Sequence, residues 1–278
     1  MAKDFDDLVD MQEMENDNNI LIVDALNLAF RYKHAKKKEF KLDYLRTVES
    51  LAKSYGCSKI IITCDFGAST FRKNLYPEYK GDREDKVANQ TEEEKQEFAE
   101  FFEEFNNTME YVGQLYPVLR FKGVEADDLA AYLTSKFYSK TPNHIWLISS
   151  DKDWDLLINE KVSRFSFVTR KEYTLENWNT YYEYEHDQAL CIKTLVGGKD
   201  NVTGIPGIGP KRALQLIQKY GSAVDILIEA PIEGKAKYIQ SLNENIDIIE
   251  RNLTLIDKIS WCEEAIGKKN IEQIKEIL

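Results

Sequence analysis

Apolar positions fall into two kinds of run along this chain. Short β-branched runs close on an acid: Ile20-Leu21-Ile22-Val23 before Asp24, Ile60-Ile61-Ile62-Thr63-Cys64 before Asp65, and Ile145-Trp146-Leu147-Ile148-Ser149-Ser150 before Asp151. Unbroken runs of this length predict parallel strands buried on both faces. Further strands are predicted over 118–121 and 161–167. Elsewhere the period is helical. Leu45, Val48, Leu51 and Ala52 predict a helix from Tyr44 to Tyr55, closed by Gly56 just past its end. Thr91 with Glu94 three residues on makes a capping box, and Phe98, Phe101, Phe102 and Phe105 form the core-facing stripe of the helix it starts. Gly123 leads into Val124-Glu125-Ala126-Asp127-Asp128-Leu129-Ala130-Ala131-Tyr132-Leu133, another helix. Between Phe66 and Glu94 the apolar pattern collapses, and Pro77 to Arg83 reads as a long exposed loop or a mobile helix pair with no buried face. From Asp187 onward the pattern is mainly helical. The elements define an α/β fold followed by a helical region, with the boundary between Tyr184 and Asp187.

The acids at the strand ends carry the chemistry. Open α/β sheets bind ligands in the crevice outside the carboxyl ends of their strands. Three carboxylates gathered there repel one another unless a cation lies between them. Glu125 and Asp128 share one face at a helix start. Acids at that position also complement the helix dipole, but dipole complementation does not ask for acids after three strands as well. Asp153, two residues beyond Asp151, adds to the same edge. The three histidines (His34, His144, His186) and four cysteines (Cys57, Cys64, Cys191, Cys262) are scattered, with no C-x-x-C pair. That pattern points away from zinc and disulfides and toward oxygen-ligated Mg²⁺ or Mn²⁺ in a reduced, cytoplasmic setting.

A chain of 278 residues can bury a full core. No apolar run reaches the length of a membrane span. The net charge of −11 is unevenly spread. Residues 1–19 are a largely acidic extension, whereas cations gather at Arg31, Lys33, Lys36, Lys37, Lys38 and Lys41, and again at Arg72, Lys73, Lys80 and Arg83. Local strips of this kind outweigh net charge in choosing a partner. A second constellation, Gly204-Ile205-Pro206-Gly207-Ile208-Gly209-Pro210-Lys211-Arg212-Ala213, predicts a tight hairpin opening into a helix. Its glycines allow close backbone approach to phosphate, and Lys211 and Arg212 supply charge there. Contacts of this type read DNA by its phosphates and not by base edges.

With these markers in order, the chain resembles the 5′-nuclease (flap endonuclease) family, and most closely its T5-type bacteriophage members. The carriers are Ile22-Val23-Asp24-x-x-Asn27-Leu28, Pro77-Glu78-Tyr79-Lys80-Gly81-Asp82-Arg83, Thr91-Glu92-Glu93-Glu94-Lys95, Gly123-Val124-Glu125-Ala126-Asp127-Asp128, Ser150-Asp151-x-Asp153-Trp154-Asp155 and the Gly-Ile-Pro-Gly-Ile-Gly hairpin. The resemblance covers about residues 20–260. It implies a PIN-like α/β core with a parallel-rich sheet at 20–186, a helical arch over about 70–100, and a DNA-binding domain with a helix–three-turn–helix module at 187–278. By that resemblance Asp24, Asp65, Glu125, Asp127 and Asp128 hold a first metal ion, Asp151 and Asp153 lie between two sites, and Asp200 serves the second. Tyr79, Lys80 and Arg83 belong to the arch base, with Tyr79 able to stack on a terminal base. Arg31, Lys33, Arg72, Gly204, Gly207, Ile208, Gly209, Lys211 and Arg212 are the expected DNA contacts, and the hairpin carbonyls hold K⁺. Relatives carry Gly-Asp-x-x-Asp-Asn before the hairpin, but this chain has Val196-Gly197-Gly198-Lys199-Asp200-Asn201. On an ungapped comparison Gly197 replaces the first aspartate, implying a weaker second metal position.

The implied activity is metal-dependent hydrolysis at the 5′ end of flapped, overhanging or nicked DNA, including RNA–DNA hybrids if the arch admits a 2′-hydroxyl. The implied setting is a monomer in the cytoplasm of a bacterial or phage-infected cell, with no membrane partner. Two alternatives share part of the pattern: a PIN-type ribonuclease, and a DNA-binding relative with weakened catalysis.

Overall fold

The computed structural model describes residues 18–82, 89–140 and 142–278. Its first elements are β1 (Asn19–Asp24), α1 (Ala25–His34), α2 (Lys41–Ser54), β2 (Cys57–Thr63), α3 (Thr70–Leu75), α4 (Glu92–Val112), β3 (Val118–Leu119), α5 (Ala126–Tyr132), β4 (Ile145–Ile148), β5 (Val162–Ser166) and β6 (Lys171–Tyr173). There follow α6 (Ala189–Val196), α7 (Pro210–Tyr220), α8 (Ala223–Glu229), α9 (Lys237–Glu244), α10 (Asp247–Ile256), α11 (Lys258–Ile266) and α12 (Lys268–Ile277). The chain divides into two compact units. One comprises Met1–Thr70, Gln90–Leu175 and Cys262–Leu278; the other comprises Phe71–Asn89 and Glu176–Trp261.

The first unit is built on a six-stranded sheet ordered β3-β2-β1-β4-β5-β6. All neighbours are parallel except β6, which runs antiparallel to β5. Every residue of β1 is buried, because helices cover both faces of the sheet. Ile20 and Ile22 pack with Leu129, Leu133, Leu147 and Trp154, while Leu21 and Val23 pack with Leu28, Tyr44, Val48 and Phe105. Each such fully buried aliphatic side chain contributes roughly 1.5–3 kcal/mol. From β1 the chain builds outward through β2 and β3, then returns to β4 on the opposite side. The switch point of the sheet therefore lies between β1 and β4, where Asp24 and Asp151 emerge.

Local signals placed several boundaries well. Thr91 and Glu94 form the reciprocal capping box. Gly56, with φ of +57°, follows α2 in the left-handed conformation that ends helices. Other expectations need correction. Strand β3 spans two residues instead of 118–121, and the edge strand β6 was not foreseen. The compact units do not follow a single break in the chain at 186/187. Glu176 already belongs to the second unit, and Cys262–Leu278 returns to the first, where Ile266, Ile271 and Ile274 join the layer of Ile20 and Ile22. Helical periodicity marks an apolar stripe without saying which layer it covers.

The second unit is helical around Ile192, Leu195, Ile205, Ile217, Leu242 and Ile249. Helix α7 starts with Pro210 at its first position, where the missing N–H costs nothing. Buried Asn252 donates from Nδ2 to Thr194 O (2.9 Å) and Thr203 O (3.0 Å), tying α10 to α6 and the hairpin. Phe71–Asn89 joins this unit, and it has the buried face that the sequence hides: Tyr79, 4% exposed, packs with Val202 and Leu255. The expected acidic extension falls largely on residues 1–17, and the centre of the expected arch on 83–88; both lie outside the described residues. No helix among the described residues is long and apolar enough to cross a membrane.

Candidate active site

The carboxyl edge of the sheet assembles the site within the first unit. Asp24, the last residue of β1, is also the N-cap of α1: its Oδ1 accepts from Asn27 N (3.1 Å). Its Oδ2 accepts from Ser149 Oγ (2.8 Å), beyond the end of β4. The same hydroxyl accepts from Asp151 N (3.1 Å), and Asn27 Oδ1 accepts from Ser150 N (2.9 Å). The β1 and β4 ends are thus cross-tied at the switch point. Asp65 follows β2 and accepts on Oδ1 from Ala126 N (2.6 Å) at the start of α5. Glu125, the N-cap position of that helix, accepts on Oε1 from Ser69 N (3.0 Å). Carboxylate oxygens of Glu125, Asp127 and Asp128 all lie within 4.8 Å of one another. Asp151 accepts on Oδ1 from Asp153 N (3.0 Å), opening a 3₁₀ turn at Lys152–Leu157.

The electrostatics of this edge are costly. Burial pushes the Asp24 carboxyl well above the usual carboxylate range, and the neighbouring charges of Asp65 and Asp151 push the same way, against the hydrogen bonds from Ser149 and Asn27. A divalent cation removes such a penalty, and an all-oxygen donor set suits a hard ion. Glu125, Asp127 and Asp128 are the described residues whose carboxylates lie close enough to share such an ion, with Asp24 and Asp65 at the strand ends of the same edge.

Asp155 belongs to the same motif but does different work. Fully buried, it pairs with Arg164 of β5, whose Nε lies 2.6 Å from Asp155 Oδ1 and whose Nη1 donates to Ser149 O (2.8 Å). Arg164 thereby anchors the segment that presents Ser149 and Asp151. No site role follows from the sequence for Asn27, although it lies in the first motif, nor for Ser149 or Arg164. Arg164 sits among Val162, Ser163, Phe165 and Ser166, a mixed strand whose pattern does not announce a buried arginine.

Other expected site residues are placed as follows. Arg31 is exposed with its guanidinium 4.2 Å from the centre of the Phe167 ring, and Lys33 Nζ lies 4.0 Å from that of Phe98. In the second unit, Lys80 Nζ lies 3.8 Å from Asp200 Oδ2. Arg83 lies outside the described residues. Two expectations do not fit their surroundings. Tyr79 is core and cannot stack on a base in this arrangement, and Arg72 is fully buried with Nε donating to Leu255 O (2.9 Å). In the hairpin, Ile208 is buried, Gly207 has φ of +80°, and Arg212 Nη1 donates back to Gly207 O (2.5 Å). Lys211 is exposed at the helix start.

Gly197 is tightly enclosed by backbone. Its φ is +74°, and any Cβ there would overlap the backbone of Val202, Thr203 and Gly204; a Cβ on Gly204 would overlap Val196. Two backbone segments cross at these glycines, and Gly197 N–H and Ile205 N–H close the crossing onto Lys193 O and Leu195 O. Gly198, by contrast, faces open space.

A mostly parallel sheet with carboxylates massed at its switch point, in a chain that also carries a helical unit with a glycine hairpin, fits a metal-dependent nuclease. Comparison with known proteins makes the assignment specific. Residues 19–185 match the family described as 5′-3′ exonuclease, N-terminal resolvase-like domain. The flap endonuclease of Escherichia phage T5 is 43% identical over 258 residues, covering 92% of this chain and 88% of that protein. The 5′-3′ exonuclease of Mycoplasmopsis pulmonis is 29% identical, covering 91% and 87%. The solved structure of T5 5′-exonuclease with divalent metal ions (zinc) superposes with a TM-score of 0.88 at 42% identity, covering 93% of this chain and 99% of that one. A T5 flap endonuclease complex with DNA and metal ions gives the same score and identity, covering 93% and 98%. The chain belongs to the 5′-3′ exonuclease family, and it is a metal-dependent 5′ nuclease.

Proposed function

We propose that this nuclease hydrolyses phosphodiester bonds near the 5′ ends of flapped, overhanging or nicked DNA during replication, leaving 5′-phosphate and 3′-hydroxyl products. The observation that carries the reading is buried Asp24, loaded by Asp65 and Asp151 at the sheet's switch point. A bound Mg²⁺ or Mn²⁺ would lower the pKa of an attacking water and polarise the phosphoryl oxygen. Asp24, Asp65, Glu125, Asp127 and Asp128 would hold it, oriented by the hydrogen bonds from Asn27, Ser149, Ala126 and Ser69. Asp151 and Asp153 would extend that donor set, and Asp200 keeps its second-ion role from the resemblance alone. By the resemblance, Lys80 would neutralise charge growing on the phosphoryl group through preorganised electrostatics. Arg83 keeps the same role from the resemblance alone.

Duplex binding is assigned to Arg31, Lys33 and the hairpin of Gly204, Gly207, Ile208 and Gly209, whose carbonyls would also hold K⁺. The first turn of α7 carries Lys211 and Arg212 and no acid. Cations at the positive end of a helix are unfavourable alone, and a phosphate there relieves both charges. Lys211→Ala is expected to reduce the slope of log affinity against log salt by about 0.9, one phosphate contact; an unchanged slope takes Lys211 out of the interface. RNA–DNA hybrids as substrates, a monomeric state and action in the cytoplasm of a bacterial or phage-infected cell complete the proposal.

The direct test is cleavage of 5′-labelled flap DNA with Mg²⁺, Mn²⁺ or EDTA, beside Asp151→Asn. Cutting near the junction that needs metal and disappears in the variant supports the reading. Equal cutting by the variant would misplace the site, and preference for single-stranded RNA would indicate a ribonuclease.

A further inference from the structure

Within the second unit, the turn that carries Lys80 is held by the loop after α6. Lys80 N donates to Asp200 O (3.0 Å), and Asn201 Nδ2 donates to Glu78 O (3.0 Å). Between these two bonds the chain turns sharply, with Gly81 N donating to Glu78 O (2.9 Å) and Lys80 at φ of +58°. On the other side of the junction Asp200 and Asn201 both have φ of +63°. Left-handed conformation costs a non-glycine residue about 1–2 kcal/mol, and it persists where the surroundings over-determine it. Here those surroundings are Tyr79 packed on Val202 and Leu255 below, and the glycine crossing at Gly197 and Gly204 behind.

We propose that Asn201 is a positioning residue for Lys80: its carboxamide, donating to Glu78 O, sets the turn that aims the Lys80 ammonium. The inference rests on the reading that Lys80 neutralises phosphoryl charge, and it gives a physical role to the asparagine that closes the Asp-Asn pair before the hairpin. Asparagine suits the place twice. It tolerates the left-handed backbone better than most side chains, and it offers an N–H donor on a short arm. Aspartate keeps the shape but sets a carboxylate against a carbonyl oxygen. Glycine keeps the backbone and removes the donor.

Asn201→Gly and Asn201→Asp separate these contributions. In single-turnover cleavage at saturating flap DNA, each is expected to slow the reaction about 10-fold, as misplacing a charged group does. Flap affinity should stay within about twofold and Tm nearly unchanged, because the bond removed touches neither the core nor the hairpin. In a Lys80→Met background Asn201→Gly should add nothing, since residues acting through one another are not additive. Full additivity would overturn the proposal, as would wild-type cleavage by Asn201→Gly when Lys80→Met is severely slowed. Wild-type cleavage by Lys80→Met would instead refute the role given to Lys80, and the positioning role would fall with it.

Discussion

Asp24→Asn is expected to abolish cleavage while making the metal-free protein more stable. The carboxyl is buried and opposed by Asp65 and Asp151, so its pKa in the folded chain stands well above the usual value. The folded chain therefore binds this proton more tightly than the unfolded chain does. The group costs nothing below the unfolded pKa of about 3.9, and its cost grows as pH rises until the folded pKa is passed. The cost is present in full only above the folded pKa. Asparagine removes the charge and retains the contacts: Oδ1 can accept from Asn27 N, and Nδ2 can donate to Ser149 Oγ. The metal-free variant should then melt about 2–4 °C higher at pH 8, the shift that ~1 kcal/mol produces in a chain of this size. The difference should shrink toward pH 4. Added Mg²⁺ should raise the wild-type Tm and leave the variant almost unmoved. Cleavage should fall at least ~1000-fold, which corresponds to about 4 kcal/mol of lost transition-state stabilisation. Melting curves with and without metal across pH, beside flap cleavage, check all of this. A variant less stable than wild type without metal would mean that the hydrogen bonds of Asp24 outweigh its charge.

Gly197→Asp and Gly198→Asp should behave in opposite ways, although they add the same carboxylate one residue apart. At 197 the side chain meets the crossing backbone and a φ of +74°. Strain and overlap together should cost more than about 3 kcal/mol, visible as a lower Tm and loss of soluble protein. At 198 the side chain enters open space, so the fold should be retained. If the loop serves a second ion, Gly198→Asp lowers the Mg²⁺ concentration giving half-maximal cleavage. A normally folded Gly197→Asp would refute the glycine crossing. An unchanged Mg²⁺ midpoint in Gly198→Asp would mean that position 198 does not face the second ion.

How far each feature could be read depends on the range of the interaction behind it. The strand ends at Asp24, Asp65 and Asp151 were legible because a doubly buried parallel strand has a local apolar signature and the polar residue ending it stands out. The capping box and Gly56 were legible because helix ends are satisfied within a few residues. Tyr79 was misread as exposed because its partners, Val202 and Leu255, are more than a hundred residues distant in the chain. Arg72 was read as a surface cation because nothing local announces that Leu255 O waits for it. The return of Cys262–Leu278 to the first unit was hidden for the same reason.

The sequence by itself determined the class of the protein: strands closing on acids, an acidic helix start, and a glycine hairpin followed by cations, each encoded in a few adjacent residues. Only the tertiary structure decided what holds those groups in place. Ser149 reaches Asp24 across 125 residues, Arg164 closes on Asp155, Asn201 seats the turn of Lys80, and Gly197 meets Gly204 where no side chain fits. Hydrogen bonds and backbone crossings between distant segments leave no periodic trace in a sequence, because each needs one residue and a partner that the fold alone brings near.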